Sequence, residues 1–254
     1  MPRGPRLVVP DIALHIVQRG HNRRDCFLHD TDFLVYLANL RELCTQTGCN
    51  LHTYCLMTNH VHLHVHLLLT PSTAEGCGQL MRNLGQRYVQ YFNKRYQRSG
   101  TLWEGRFRSC LVDSASYALA CHRYIERNPV RAHMVASPEG YRWSGYAGNA
   151  GLALNTILTP HAEYLALAST EAPRHTAYRT LLAFDDDPGF LAAIRDATNG
   201  GFALVGAQLK AMLPPEQQRR LERKPPGPRP KSRPEQPDRL AELQGELGFR
   251  PRTG

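Results

Sequence analysis

The chain's pattern predicts an α+β fold: an antiparallel sheet in split β-α-β-β-α-β order, the ferredoxin-like arrangement, with an added helix behind it and a helical C-terminal extension. Three observations lead there. Apolar residues alternate with polar ones in four short stretches. Between those stretches they recur at helical spacing. Capping residues, glycines and prolines stand at the borders.

Residues 12–19 predict a strand stopped by Gly20, followed by a basic loop, His21-Asn22-Arg23-Arg24-Asp25. Asp30-Thr31-Asp32 open a helix with good capping residues, and Phe33, Leu34, Leu37, Leu40 and Leu43 give it an apolar stripe that Gly48 ends. Residues 50–57 are the second strand, Thr58-Asn59 a turn, and residues 60–69 the third strand, closed by Pro71 and Ser72. Residues 78–97 form a long helix, apolar along Leu80, Met81, Leu84, Tyr88, Tyr91 and Phe92, and ended by Ser99-Gly100. Residues 102–112 mix a turn with the fourth strand. Ser114 or Ser116 caps a helix reaching about Arg127, where Asn128-Pro129 ends it, since the residue before proline avoids the helical region. Tyr141-Arg142-Trp143-Ser144 returns to the core. Residues 160–182 and 188–213 read as helical, with Asn199-Gly200-Gly201 turning between 188–197 and 203–213. From Pro214 onward Pro, Arg, Lys and Gln dominate, which predicts a basic, disordered tail. The expected division is a domain over 1–146, an extension over 147–213 and a tail over 214–254.

The 254 residues carry a formal net charge of +9, which favours an anionic partner, nucleic acid first. No apolar stretch approaches the ~20 residues that span a bilayer. The basic start, Met1-Pro2-Arg3-Gly4-Pro5-Arg6, is not followed by the apolar segment and cleavage site of a signal peptide. The expectation is a cytosolic chain with no membrane partner. Seven cysteines, an odd number with no C-x-x-C pair, argue against a zinc ribbon or a thioredoxin-type site and for reduced core thiols.

The chemistry concentrates in Asn59-His60-Val61-His62-Leu63-His64-Val65-His66-Leu67. On a strand the four histidines share one face. A lone strand histidine needs no function, but two side by side suit a metal such as manganese, zinc or iron. A third ligand must come from another element. Tyr124 and Asn128 lie four apart on a predicted helix, beside His122 and Arg123. A tyrosine hydroxyl can act as a nucleophile, and a carboxamide oxygen suits a hard metal. Taken alone, Tyr124 can equally be a packed aromatic and Asn128 the helix-ending residue.

Several separated motifs resemble one family. Cys55-Leu56-Met57-Thr58-Asn59-His60-Val61-His62-Leu63 is similar to the histidine–hydrophobe–histidine (HUH) motif of single-tyrosine, IS200-like transposases. Gln18-Arg19-Gly20-His21-Asn22-Arg23 resembles their first-strand signature. The stretches 87–96 and 100–108 continue the resemblance, and Tyr124-Ile125-Glu126-Arg127-Asn128-Pro129-Val130-Arg131-Ala132 is similar to the catalytic-helix motif. The REP-associated tyrosine transposases are the nearest branch by this resemblance, which is dense over 12–146 and looser to about 213.

The resemblance implies that His60, His62 and Asn128 hold a divalent metal, magnesium or manganese. It implies that Tyr124 attacks single-stranded or hairpin DNA to form a 5′-phosphotyrosine, which a second strand's 3′-hydroxyl can resolve. It also implies action at the bacterial nucleoid, as a monomer or a homodimer. Arg19, Arg23, Arg24, Arg82, Arg87, Arg95, Arg106 and Arg108, with Trp103 as a stacking platform, are the candidate DNA contacts. The basic tail, Arg219 to Arg233, would add salt-dependent affinity.

The departure from the family is the doubled Val-His-Leu-His, which keeps the histidine face but shifts what lies beyond. The entry side, Met57-Thr58-Asn59, selects His60 and His62, and the exit side, Leu67 to Pro71, selects His64 and His66. The entry pair is preferred because the turn fixes the start of the strand. The same doubling keeps open a catalytically impaired DNA-binding regulator on the same fold. A metal hydrolase without a tyrosine adduct is the third reading.

Overall fold

The computed structural model describes residues 6–57, 64–113, 115–185, 187–204 and 206–221. They fall in one compact unit, Met1–Arg223; a second, Lys224–Gly254, lies outside the described residues. Four strands, β1 (Ala13–Arg19), β2 (Cys49–Leu56), β3 (His64–Pro71) and β4 (Arg108–Val112), form one sheet in the order β2-β3-β1-β4. All three pairings are antiparallel, with Ile16 of β1 opposite Leu67 of β3 and Ser109 of β4. The helices α1 (Asp30–Thr47) and α2 (Gly76–Arg95) complete the split β-α-β-β-α-β order that the pattern predicted.

Alternation along the strands sorts side chains to two faces. Leu14, Ile16, Val65, Leu67, Leu69 and Leu111 join Phe33, Tyr36, Leu40, Leu43, Leu80, Leu84, Tyr88 and Phe92 in the core beneath α1 and α2. Tyr36 takes the place expected of Leu34, which is 52% exposed. Asp32, in the first turn of α1, accepts hydrogen bonds from the Leu28 and His29 amides and from the Tyr91 and Tyr96 hydroxyls. Burial pushes its carboxyl up, but these donors outweigh burial and hold it below the ordinary value. Gly48 ends α1 at φ +61, where a Cβ would stand 2.2 Å from Ser72 Oγ.

The other face carries Ala13, Cys55, Leu68, Cys110 and Val112. It is covered by α3 (Ala115–Glu126) and, from the C-terminal extension, by α8 (Pro188–Gly200) through Ile194 and Ala197. Between them run α4 (Asn128–Arg131), α5 (Tyr146–Asn149), α6 (Ala162–Leu165) and α7 (Glu171–Ala183). Beyond α8 come α9 (Ala207–Met212) and α10 (Pro215–Leu221).

Several expectations are corrected. Asn128 does not simply end a helix: α3 stops at Glu126 and Asn128 opens α4, whose first turn accepts Pro129 because the amides there need no partner. The stretch 160–182 is two helices, broken where Thr170 adopts an extended N-cap conformation. The helix over 203–213 is shorter: Leu204 makes a bridge to β4, and only Ala207–Met212 is helical. The expected tail begins with the helix α10. Ser114 lies outside the described residues, as does the turn at Thr58-Asn59.

Both sheet edges are covered by segments that follow α4 in the chain. Residues 143–145 run along β2, where Leu56 N donates to Trp143 O and Gly145 N to Tyr54 O, each at 2.9 Å. Along β4, Leu204 N donates to Leu111 O at 2.9 Å and Asp113 N to Leu204 O at 3.1 Å. All seven cysteines are buried and free. Among the described residues no helix is long and apolar enough to cross a membrane.

Candidate active site

The face under α3 and α8 holds a pocket of about 220 Å³. Five elements aim side chains into it: β1 and β3 supply His15 and His66, α3 and α4 supply Tyr124, Asn128 and Arg131, and α8 supplies Arg195, Thr198 and Asn199. Strand alternation explains the first pair, because His15 and His66 stand between residues that point to the opposite core. His15 Nε2 and His66 Nδ1 share a hydrogen bond of 3.1 Å, and His15 Nδ1 pairs with Thr198 Oγ1 at 2.9 Å. The two imidazoles stack at 5.4 Å, and the Tyr124 ring meets both edge-on at 5.6 and 5.8 Å.

Tyr124 is buried. Two guanidiniums share its pocket. Arg131 lies over the ring, 4.6 Å from its centroid, and donates to the Tyr124 carbonyl. Arg195 of α8 lines the same pocket as Tyr124. Burial pushes the phenol above its ordinary value, while Arg131 and Arg195 pull it back.

Two residues beyond Tyr124, the other side of α3 carries Glu126 into a cage. Its carboxyl accepts from Thr53 Oγ1 at 2.5 Å, Asn149 Nδ2 at 3.0 Å and Tyr178 Oη at 2.7 Å. Tyr178 in turn lies 3.2 Å from His122 Nδ1. Burial raises Glu126 to about 7, against the pull of these hydrogen bonds, and drives His122 well below its ordinary value. This cage fastens α3 to β2, α5 and α7.

Of the expected metal ligands, Asn128 lines the pocket, whereas His60 and His62 lie outside the described residues. His66, the second member of the exit pair, lines the same wall as Tyr124 and Asn128. Register bears on this placement: Cys55 pairs with His66 and Leu56 with Val65, so β2 ends opposite the exit half of the histidine run. The donor chemistry fits a divalent cation in part. An imidazole and a carboxamide converge, and Asn128 Nδ2 is buried without a partner among the described residues. Exchanging the amide oxygen and nitrogen would turn an acceptor into that space. Among the described residues no three His, Cys, Asp or Glu cluster as a complete metal set.

The expected DNA contacts divide by place. Arg19 pairs with Glu104 at 3.2 Å and Arg108 reaches Asn199, both at the sheet end where β3 begins. Arg24 and Arg106 are exposed, and Arg23 lies in the short turn His21–Arg23. Arg82, Arg87 and Arg95 belong to α2, across the sheet from the pocket, with Arg87 3.0 Å from Glu42 and Arg95 3.6 Å from Asp32. Trp103 is buried against Tyr36 and Tyr88 rather than presented as a platform. Sequence reasoning missed His15, Arg131 and the α8 residues. Strand alternation could have found His15, and Arg131 stands inside the Asn128-Pro129 motif. Nothing local marks Arg195.

Residues 8–128 match the family model of IS200-like transposases. The structure of a REP-associated tyrosine transposase bound to a REP hairpin is similar in fold, with a TM-score of 0.50 and 14% identity over 64% of this chain and 93% of that one. A proposed transposase from Deinococcus radiodurans R1 aligns at a TM-score of 0.34 and 23% identity, over 50% of this chain and 97% of that one. No curated protein matches the chain.

Proposed function

We infer that the chain is an IS200-like transposase that cuts and rejoins single-stranded or hairpin DNA through Tyr124. One observation carries this reading: Tyr124, Asn128 and His66 line one pocket, flanked by two arginines, in a fold matched over residues 8–128 by that family. The fold neighbour bound to a REP hairpin supports hairpin DNA as the substrate class.

In the proposed reaction the Tyr124 hydroxyl oxygen attacks the scissile phosphorus and the bond to the 3′ oxygen breaks. The phenolic proton leaves to solvent, and the 3′ oxygen takes one up. The products are a 5′-phosphotyrosine and a free 3′-hydroxyl, so a second strand's 3′-hydroxyl can reverse the step without ATP. Arg131 keeps the ring in place. Asn128 and a pair from the histidine run would hold a magnesium or manganese ion, whose chemistry is to polarise the phosphate. The hydrogen bonds from Thr198 to His15 to His66 orient the His66 ring. The pairing of β3 favours His64 and His66 over His60 and His62 as that pair.

The test is to incubate the chain and manganese with end-labelled hairpin DNA and resolve the products on a denaturing gel. A covalent adduct lost in Tyr124→Phe is expected. Cleavage without an adduct would point to a hydrolase, and binding without cleavage to the regulator that the doubled histidine motif allows. Replacing His60 with His62, or His64 with His66, by alanine then assigns the pair. Loss of cutting only in the first double variant would refute the assignment to the exit pair.

A further inference from the structure

The pocket does not end where the family match ends. Residues 8–128 supply His15, His66, Tyr124 and Asn128, but the facing wall is α8, some sixty residues further on. This helix is fixed to the sheet. Asp187 caps its first turn by accepting from Phe190 N at 2.7 Å, and Ile194 and Ala197 are fully buried. Thr198 Oγ1 bonds both His15 Nδ1, at 2.9 Å, and Cys110 Sγ, at 3.2 Å. Asn199 accepts from Arg108, and Gly201 ends the helix in the left-handed conformation before Leu204 joins β4. A helix tied down at both ends and along its length presents Arg195 at a set position.

The two arginines at Tyr124 come from different elements, Arg131 from α4 and Arg195 from α8. Arg131 contacts the ring face and the main-chain carbonyl, so it holds the residue. Arg195 enters the same pocket from α8, and its cation helps hold down the phenol whose hydroxyl oxygen would react. A guanidinium has five donors in a planar fork and can serve that oxygen and a phosphate together. We propose that Arg195 is a catalytic residue supplied by the extension, which aligns the Tyr124 oxygen with the phosphate it attacks and neutralises the charge gathering on the non-bridging oxygens. The inference rests on the transposase reading above. As the new phosphorus–oxygen bond forms and the bond to the 3′ oxygen breaks, negative charge rises on the two oxygens that stay with phosphorus. A cation already in place meets it without reorganisation.

The experiment compares Arg195→Gln, Arg195→Lys and, as a control for lost charge, Arg41→Ala on the exposed side of α1. The substrate is end-labelled hairpin DNA with manganese. Adduct formation is followed in single turnover at saturating protein, and hairpin affinity is measured separately by fluorescence anisotropy. Arg195→Gln is expected to slow adduct formation by about 100-fold or more, the usual effect of removing one preorganised donor, with affinity nearly unchanged. Arg195→Lys should recover part of the rate, because an ammonium keeps the charge but not the fork, and Arg41→Ala should match the wild type. A Gln variant with wild-type adduct rate overturns the inference alone. So does one that loses affinity but reacts normally once saturated, since Arg195 then only holds DNA. A wild-type chain that binds the hairpin and forms no adduct overturns the transposase reading and the inference with it.

Discussion

Glu126 makes the stability of this fold depend on pH in a way that one substitution can isolate. Its carboxyl is raised from an ordinary 4.5 to about 7 by burial, against three hydrogen bonds. A carboxyl raised in the folded state binds its proton more tightly there than in the unfolded chain. Between 4.5 and about 7 the folded state therefore carries the extra proton, and its stability falls as pH rises through that window. At 1.36 kcal/mol per pH unit the full change is about 3 kcal/mol. The raw curve will not show this alone. His52, depressed to about 4 by burial, and His122, also held well down by burial, add stability as pH rises towards the histidine range. Glu126→Gln removes only the carboxyl titration while keeping the size of the side chain. Urea unfolding of both proteins across the window should give a stability difference, wild type minus variant, that falls by about 3 kcal/mol and levels off above 7. A flat difference would refute the reasoning: the cage would then hold a carboxylate, with its donors outweighing burial.

Two other outcomes follow from packing. Gly48→Ala should destabilise by more than about 1 kcal/mol, since it puts a side chain at positive φ against Ser72. Gly85→Ala, inside α2 with only ordinary contacts to Trp103, should stabilise by about 0.5–1 kcal/mol; denaturant midpoints of opposite shift check the pair. Ile194→Ala removes a fully buried side chain between α8 and the sheet and should cost about 2–4 kcal/mol in urea unfolding.

The sheet and its two flanking helices were legible because local periodicity and burial agree there: strands β1, β2 and β4 and helices α1 and α2 stand close to their expected bounds, while β3 runs two residues past its expected end and its expected first residues lie outside the described ones. Legibility fell where tertiary contacts decide. Pro129 looked like a stop signal, yet the first turn of α4 needs no amide from it. Residues 143–145 and Leu204 show no strand pattern of their own and pair only because a sheet edge is there to receive them. Trp103 sits among basic residues in sequence, but the bridge between Gly20 and Trp103 turns the indole into the core. In the candidate site, Tyr124 and Asn128 could be named from one motif. Arg195 could not, because no spacing links α8 to a helix so far upstream.

Covering both sheet edges from the C-terminal side has a consequence for the order in which the chain is made. A ribosome that has released residues 6–128 has released every strand and the tyrosine helix, but neither the segment that seals β2 nor the one that seals β4. The apolar face with Ala13, Leu68, Cys110 and Val112 also waits for Ile194 and Ala197. Nascent or truncated chains ending before α8 would thus display an open β4 edge and a bare apolar surface, the features by which chaperones and proteases recognise unfinished protein. Only a chain translated past Leu204 can hide them, so synthesis of the extension and closure of the reactive pocket are coupled.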